Sequence, residues 1–167
     1  FMTRDKIEIE AQKVLDGLGV KSRPVPVEEI AMAKKIKISR APSKEFSGML
    51  IRKDGHALIG VNNSEAAVRQ RFSVAHELGN FFLHPNEDTF VDYRKELKES
   101  EIKNHKEREA DQFAAAILMP KKFLEEDVKN LNCSSISDRE IKILCDRYDV
   151  SEKAMTFRLI NLNFLNI

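Results

Sequence analysis

The run Arg71-Phe72-Ser73-Val74-Ala75-His76-Glu77-Leu78-Gly79-Asn80-Phe81-Phe82-Leu83-His84 holds the residues best suited to chemistry. On a helix, His76 and position 80 stand one turn apart and project from the same face. Two imidazoles so spaced can hold one zinc ion, and a Glu directly after the first can act as base toward water on that ion. This is the content of the His-Glu-x-x-His pattern. The fifth position here is Asn80, whose neutral amide oxygen is a poor zinc ligand beside an imidazole. The stretch therefore reads as a zinc-peptidase helix with one ligand replaced.

A second stretch, Lys106 to Met119, offers acids to the same centre. Ala110, Phe113, Ala114, Ile117 and Leu118 form its packed face, the small alanines allow close helix contact, and Pro120 ends it. Glu107 shares a face with Ala110, Asp111, Ala114 and Leu118, so its carboxylate can reach a metal held by the neighbouring helix. Asp111, one turn on, can accept from the metal-bound imidazole and fix its orientation. Glu109 is the alternative ligand, on the other side of the stripe and toward its margin. The plainer reading of these three is a solvated acidic first turn, favourable at a helix N-terminus. For His76 and Asn80 it is a hydrogen-bonded pair in a core helix.

The elements that must position these residues follow from periodicity. Phe72, Ala75, Leu78, Gly79, Phe82 and Leu83 recur at three- and four-residue spacing, which predicts a buried helix from Glu65 through Phe82, capped by Asn63 or Ser64. Gly79 costs a helix about 1 kcal/mol relative to Ala unless something approaches it closely. Upstream, helices are expected over Arg4–Leu18 and Glu28–Lys35. Strands are expected at Ile36–Ser39, Ser47–Arg52 and Ala57–Val61, with Asp54-Gly55 turning a hairpin and His56 exposed beside it. His84, eight residues beyond His76, reads as a packing or supporting residue. Residues 85–104, polar and charge-rich, read as a mobile loop. In the tail, Ser137-Asp138-Arg139-Glu140 opens a helix through Arg147, and Ser151 caps a last helix.

With 167 residues, 42% hydrophobic and 33% charged, the composition is that of a soluble globular domain able to bury a core. A net charge of +1 gives no reason to expect a polyanion as obligatory partner. The two cysteines, Cys133 and Cys145, lack a pairing motif, and no secretory signal or membrane-spanning run is evident. A reducing cytoplasm is the expectation. Phe1 precedes Met2; Met2 is expected to be the initiator and Phe1 an added residue.

His76-Glu77-Leu78-Gly79, then Glu107-x-Glu109-Ala110-Asp111-x-Phe113-Ala114 and Ile117-Leu118-Met119-Pro120, resemble the ImmA/IrrE family of bacterial metallopeptidases. Arg69 to Ala75 fits the family's approach to its zinc helix. Val25-Pro26-Val27, Ser47-Gly48 and the tail Val150-Ser151-Glu152-Lys153-Ala154-Met155-x-x-Arg158-Leu159 match as well, so the resemblance covers nearly the whole chain. It implies a Zn2+-dependent endopeptidase that inactivates a helix-turn-helix repressor, often encoded beside it in mobile elements or stress regulons, by cleaving it. It further implies that His76, position 80 and Glu107 hold the metal and that Glu77 is the catalytic base. Asn80 departs from that pattern. Zinc is then expected to bind weakly or not at all and turnover to be impaired. The alternative function is an antirepressor that binds its partner without cutting it. A natural degenerate member, a deliberate inactivating substitution and a site for another metal all accommodate Asn80.

The expected architecture is α+β: one mainly helical domain over residues 2–130, with a small antiparallel sheet and a zincin-like helix pair. A C-terminal helical extension, 131–167, packs on it. That extension resembles a helix-turn-helix, but its last helix carries only Lys153 and Arg158 as basic groups, so packing or partner recognition is expected of it and not DNA binding.

Overall fold

Apolar residues at helical spacing account for the first two helices. α1 (Arg4–Gly17) buries Ile7, Ala11 and Leu15, and α2 (Val27–Ala33) buries Val27, Ile30 and Ala31. Thr3 caps α1 by accepting from the Lys6 amide. The computed structural model describes residues 1–94 and 101–166, with 101–103 described by their backbone alone.

Three strands come next, β1 (Ile36–Ala41), β2 (Phe46–Lys53) and β3 (His56–Asn62). Asp54 and Gly55 both take positive φ, 51° and 76°, as the tight turn of the β2–β3 hairpin requires. β3 pairs antiparallel with β2 and parallel with β1, with Ile36 opposite Ala57 and Ile38 opposite Ile59. A fourth strand, β4 (Thr89–Tyr93), pairs antiparallel with the far edge of β2. The sheet order is β1-β3-β2-β4. The sheet is small, as expected, but mixed: alternation marks a strand without naming its neighbour, and β1 found the parallel one. Of the expected loop at 85–104, Thr89–Tyr93 is strand and α4 begins at Glu101, while 95–100 lie outside the described residues.

α3 (Ala67–Leu83) carries the key run. It starts later than expected: Ala66 is its N-cap residue, with no side-chain hydrogen bond, so neither Asn63 nor Ser64 caps it. Asn62 instead organises the loop, its Oδ1 accepting from the Ser43 and Ser64 amides at 3.0 Å each. α4 (Glu101–Leu118) lies against α3. A Cβ added at Gly79 would sit 3.0 Å from the Ala110 carbonyl oxygen and 3.1 Å from both Ala110 Cα and Phe113 Cβ. Glycine is what lets the two helices come this close.

α5 (Lys121–Asn130), not foreseen as a separate helix, follows Pro120. α6 (Asp138–Tyr148) and α7 (Glu152–Asn161) form the tail, where Glu140 accepts from the Ser137 amide at 2.9 Å and Ser151 from that of Ala154 at 3.1 Å. One hydrophobic cluster takes in residues of α1, α3, α4, the sheet, α6 and α7. Polar ties reinforce it. The Arg71 guanidinium donates to the carbonyls of Val25, Tyr148 and Asp149 at 3.1–3.3 Å, and Asp127 Oδ2 gathers Arg23, Arg147 and the Tyr148 hydroxyl. No described helix is long and apolar enough to cross a membrane.

Candidate metal centre

The central span of α3, Ser73 to Asn80, is wholly buried between the sheet and α4, so its polar side chains must find partners inside the protein. His76 is 2% exposed. Its Nδ1 meets Asp111 Oδ1 at 2.7 Å. Its Nε2 lies 3.0 Å from Glu107 Oε2, but without the alignment of a hydrogen bond, and counts among the buried atoms that lack a partner. The two carboxylates come from successive turns of α4, which Gly79 allows to lie close enough to present them.

Burial alone would lower the His76 pKa, yet the carboxylates of Asp111 and Glu107 outweigh it and hold the ring well above its usual value. Glu77 goes the same way for another reason: burial, reinforced by Glu107 and Asp92, pushes its carboxyl up to about 8 against the opposing pull of His76. Glu77 Oε1 accepts from Asn80 Nδ2 at 3.2 Å, and Glu77 Oε2 and Asn80 Oδ1 have no partner. Asn80 is thus turned to Glu77.

Glu109 is occupied elsewhere. Its Oε2 accepts from the Met2 backbone amide at 2.6 Å, and its Oε1 lies 3.8 Å from His84 Nε2. It is 5% exposed, whereas the Asp111 side chain is 57% exposed. The expectation that the Glu107–Asp111 face is the one turned to the core and Glu109 marginal is therefore corrected: Glu107 and Asp111 rim a cleft while Glu109 goes inside. His84 packs at that inner position, its Nε2 3.3 Å from the Lys106 carbonyl.

Sequence reasoning missed Asp92. The register between β2 and β4 shifts at Ser47: Phe46 pairs with Tyr93, and Gly48 with Asp92. Two residues of β2 thus advance against one of β4, a local irregularity of the kind that re-aims side chains. Asp92 Oδ2 accepts from Arg69 Nη2 at 3.0 Å. Burial raises its pKa against the opposing pull of His76 and Arg69, and Glu107 and Asp111 add to the rise. The signal was present in Thr89-Phe90-Val91-Asp92-Tyr93, four of whose five residues favour strands.

Among the described residues, His76, Asp92 and Glu107 each offer one donor atom, all within 4.8 Å of one another. One nitrogen and two carboxylate oxygens, with the unpartnered Nε2 beside Glu107, suit a divalent cation. All three line a groove of about 580 Å³. Its walls also include Phe72, Met119, Val150 and Phe157, while neither Glu77 nor Asn80 reaches them. A centre of this kind can bind a metal and admit an extended, partly apolar chain beside it.

The peptidase family model described as the IrrE N-terminal-like domain matches the chain over residues 31–159, from α2 to α7. No curated protein matches.

Proposed function

The chain belongs to the IrrE N-terminal-like domain family and has its metallopeptidase-like role; on that footing we propose that it inactivates a helix-turn-helix repressor by cutting it at a specific peptide bond, slowly because of Asn80. The observation that carries this reading is the meeting of His76, Glu107 and Asp92 on a groove with apolar walls. Zn2+ is the metal proposed, since an imidazole with carboxylates suits it.

A bound divalent metal supplies the Lewis acidity that polarises a peptide carbonyl. The chain supplies the rest. Asp111 holds the His76 ring by Nδ1, which leaves Nε2 facing Glu107. Phe72, Met119 and Phe157 give the groove apolar walls for substrate side chains. Glu77 is the proton carrier, taking a proton from the attacking water at a carboxylate oxygen and passing it to the leaving amine. Two features slow it. Asn80 occupies its Oε1, and burial raises its pKa, so the metal-free carboxyl holds its proton at neutral pH.

The same features favour a second reading, an antirepressor that binds without cutting. Glu77 is fully buried and does not line the groove. A DNA-binding role draws no support from α7. Its Arg158 is 4% exposed, donating to the Met119 carbonyl at 2.9 Å and paired with Glu8, which leaves Lys153 as the exposed basic group.

The test is incubation of the chain with the helix-turn-helix repressor encoded nearest its gene, read by intact-mass spectrometry. One defined cut, abolished by a chelator and by Glu77→Gln, supports the proposal. An intact repressor in a stable complex establishes the second reading, and neither cut nor complex overturns both.

A further inference from the structure

We infer that this chain holds its divalent metal through His76, Glu107 and Asp92, the strand carboxylate of Asp92 standing in for the ligand that Asn80 cannot provide. The inference rests on the metal-centre reading above and deepens it, because the expected ligand set had no third donor once position 80 was an amide.

Four observations converge. The donor atoms of His76, Asp92 and Glu107 lie within 4.8 Å of one another. Atoms bound to one zinc at about 2.0–2.2 Å can be at most about 4.4 Å apart, so small side-chain rotations close the set. Second, His76 Nε2 is sealed from solvent, makes no aligned hydrogen bond and lies 3.0 Å from Glu107 Oε2, so exchange of its proton for a cation sets an imidazole donor beside a carboxylate donor. Third, Asn80 is committed to Glu77 and has no place on the groove, whereas His76, Asp92 and Glu107 all do. Fourth, the irregularity at Ser47 puts Asp92 opposite Gly48, and a Cβ at Gly48 would come within 3.7 Å of Glu77 Cγ. Asp92 is thereby registered against the part of β2 that packs on α3 beside Glu77.

The three donors come from α3, α4 and β4, so the set forms only in the folded chain. Two carboxylates also neutralise a dication fully, which a pair of imidazoles and one carboxylate would not. The donor set is correspondingly harder and should admit Mn2+ and Co2+ as well as Zn2+. Arg69, the present partner of Asp92, is 40% exposed in its side chain and can turn to solvent when the metal takes its place.

The experiment is a competition titration of the full chain with ZnCl2 against a chromogenic chelator, for the wild type and for Asp92→Asn, Asn80→Ala, His76→Ala and Arg69→Met. Circular dichroism checks that each variant is folded. Asp92→Asn should weaken zinc binding by at least about tenfold, as lost metal contacts do. Asn80→Ala should leave it unchanged, and Arg69→Met should not weaken it, which separates ligation from loss of the ion pair. A direct readout is Asp92→Cys loaded with CoCl2, where a thiolate-to-cobalt charge-transfer band absent from the wild type should appear in the near ultraviolet. If zinc binds, is lost in His76→Ala, and survives Asp92→Asn with no new band in Asp92→Cys, the Asp92 assignment is overturned while the metal centre stands. If the wild type binds no zinc and Asn80→His does, both the assignment and the metal-dependent reading of this chain fail.

Discussion

The Asn80 carboxamide donates to the Glu77 carboxylate at 3.2 Å, and both side chains are fully buried. The residue at the position of the second zinc histidine thus binds the residue expected to move the proton. Asn80 takes a ligand away and at the same time restrains the base.

Replacing Asn80 with His should relieve both effects. Asn80→His is expected to bind zinc more tightly than the wild type and to cut the repressor faster. Zinc content after dialysis, together with cleavage followed on gels, checks this. Equal zinc content and equal rates in the two proteins would show that position 80 lies outside the centre.

The acids of α4 should separate cleanly. Glu107→Ala is expected to cost far more zinc affinity than Glu109→Ala, because Glu107 Oε2 stands beside His76 Nε2 while Glu109 binds the Met2 amide. Asp111→Ala removes the acceptor that fixes the His76 ring and should cost roughly 10–100-fold in affinity. A damaging Glu109→Ala beside a silent Glu107→Ala would reverse the assignment. In the metal-free protein, urea unfolding should rank them the other way, with Glu109→Ala the more destabilising as it orphans buried partners.

Gly79→Ala sets two effects against each other. Alanine favours the helix by about 1 kcal/mol. Its methyl, however, would press on the backbone of Ala110 and on Phe113 Cβ at 3.0–3.1 Å, and such overpacking costs about 1–3 kcal/mol. Backbone atoms cannot turn aside, so the expected net result is a loss of stability of about 1 kcal/mol, accompanied by weaker metal binding as α4 moves off. The shift in urea midpoint gives the first and a zinc titration the second. An unchanged or raised midpoint would show that α4 has room to give.

The cysteines should differ in reactivity. Burial pushes the Cys145 thiol up to about 11, with the nearby charges of Glu152 and Asp146 adding to it. A raised thiol pKa keeps the thiolate scarce in the folded chain until the pH approaches that value, so alkylation at pH 8 should spare Cys145. Cys133 is only half-buried and should react first. Peptide mapping after iodoacetamide treatment reads this directly. Raising the pH toward 10 or adding denaturant should then expose Cys145, and equal labelling of both at pH 8 in the native protein would contradict its burial.

Much was legible in the chain because it is encoded locally. The stripe of Phe72, Ala75, Leu78 and Gly79 fixed α3 in kind and phase, Asp54-Gly55 marked the hairpin, and Ser137 with Glu140 announced α6. Adjacent turns of α4 put Glu107 and Asp111 on one face, as helical spacing demands, and both do reach His76. Other features depended on partners distant in sequence. Helical phase could not say which side of α4 faces the cleft, so the burial of Glu109 against Met2 was open until α1 was in place. The parallel partner of β1 and the choice of β2 as the neighbour of β4 are likewise tertiary decisions. Asp92 is the sharpest instance. Its strand follows from residue type, but its approach to His76 depends on an irregularity at Ser47 in β2, next to its pairing partner Gly48, 44 residues earlier. Spacing along a chain specifies donors that share an element, whereas a donor set drawn from α3, α4 and β4 exists only once those elements have packed.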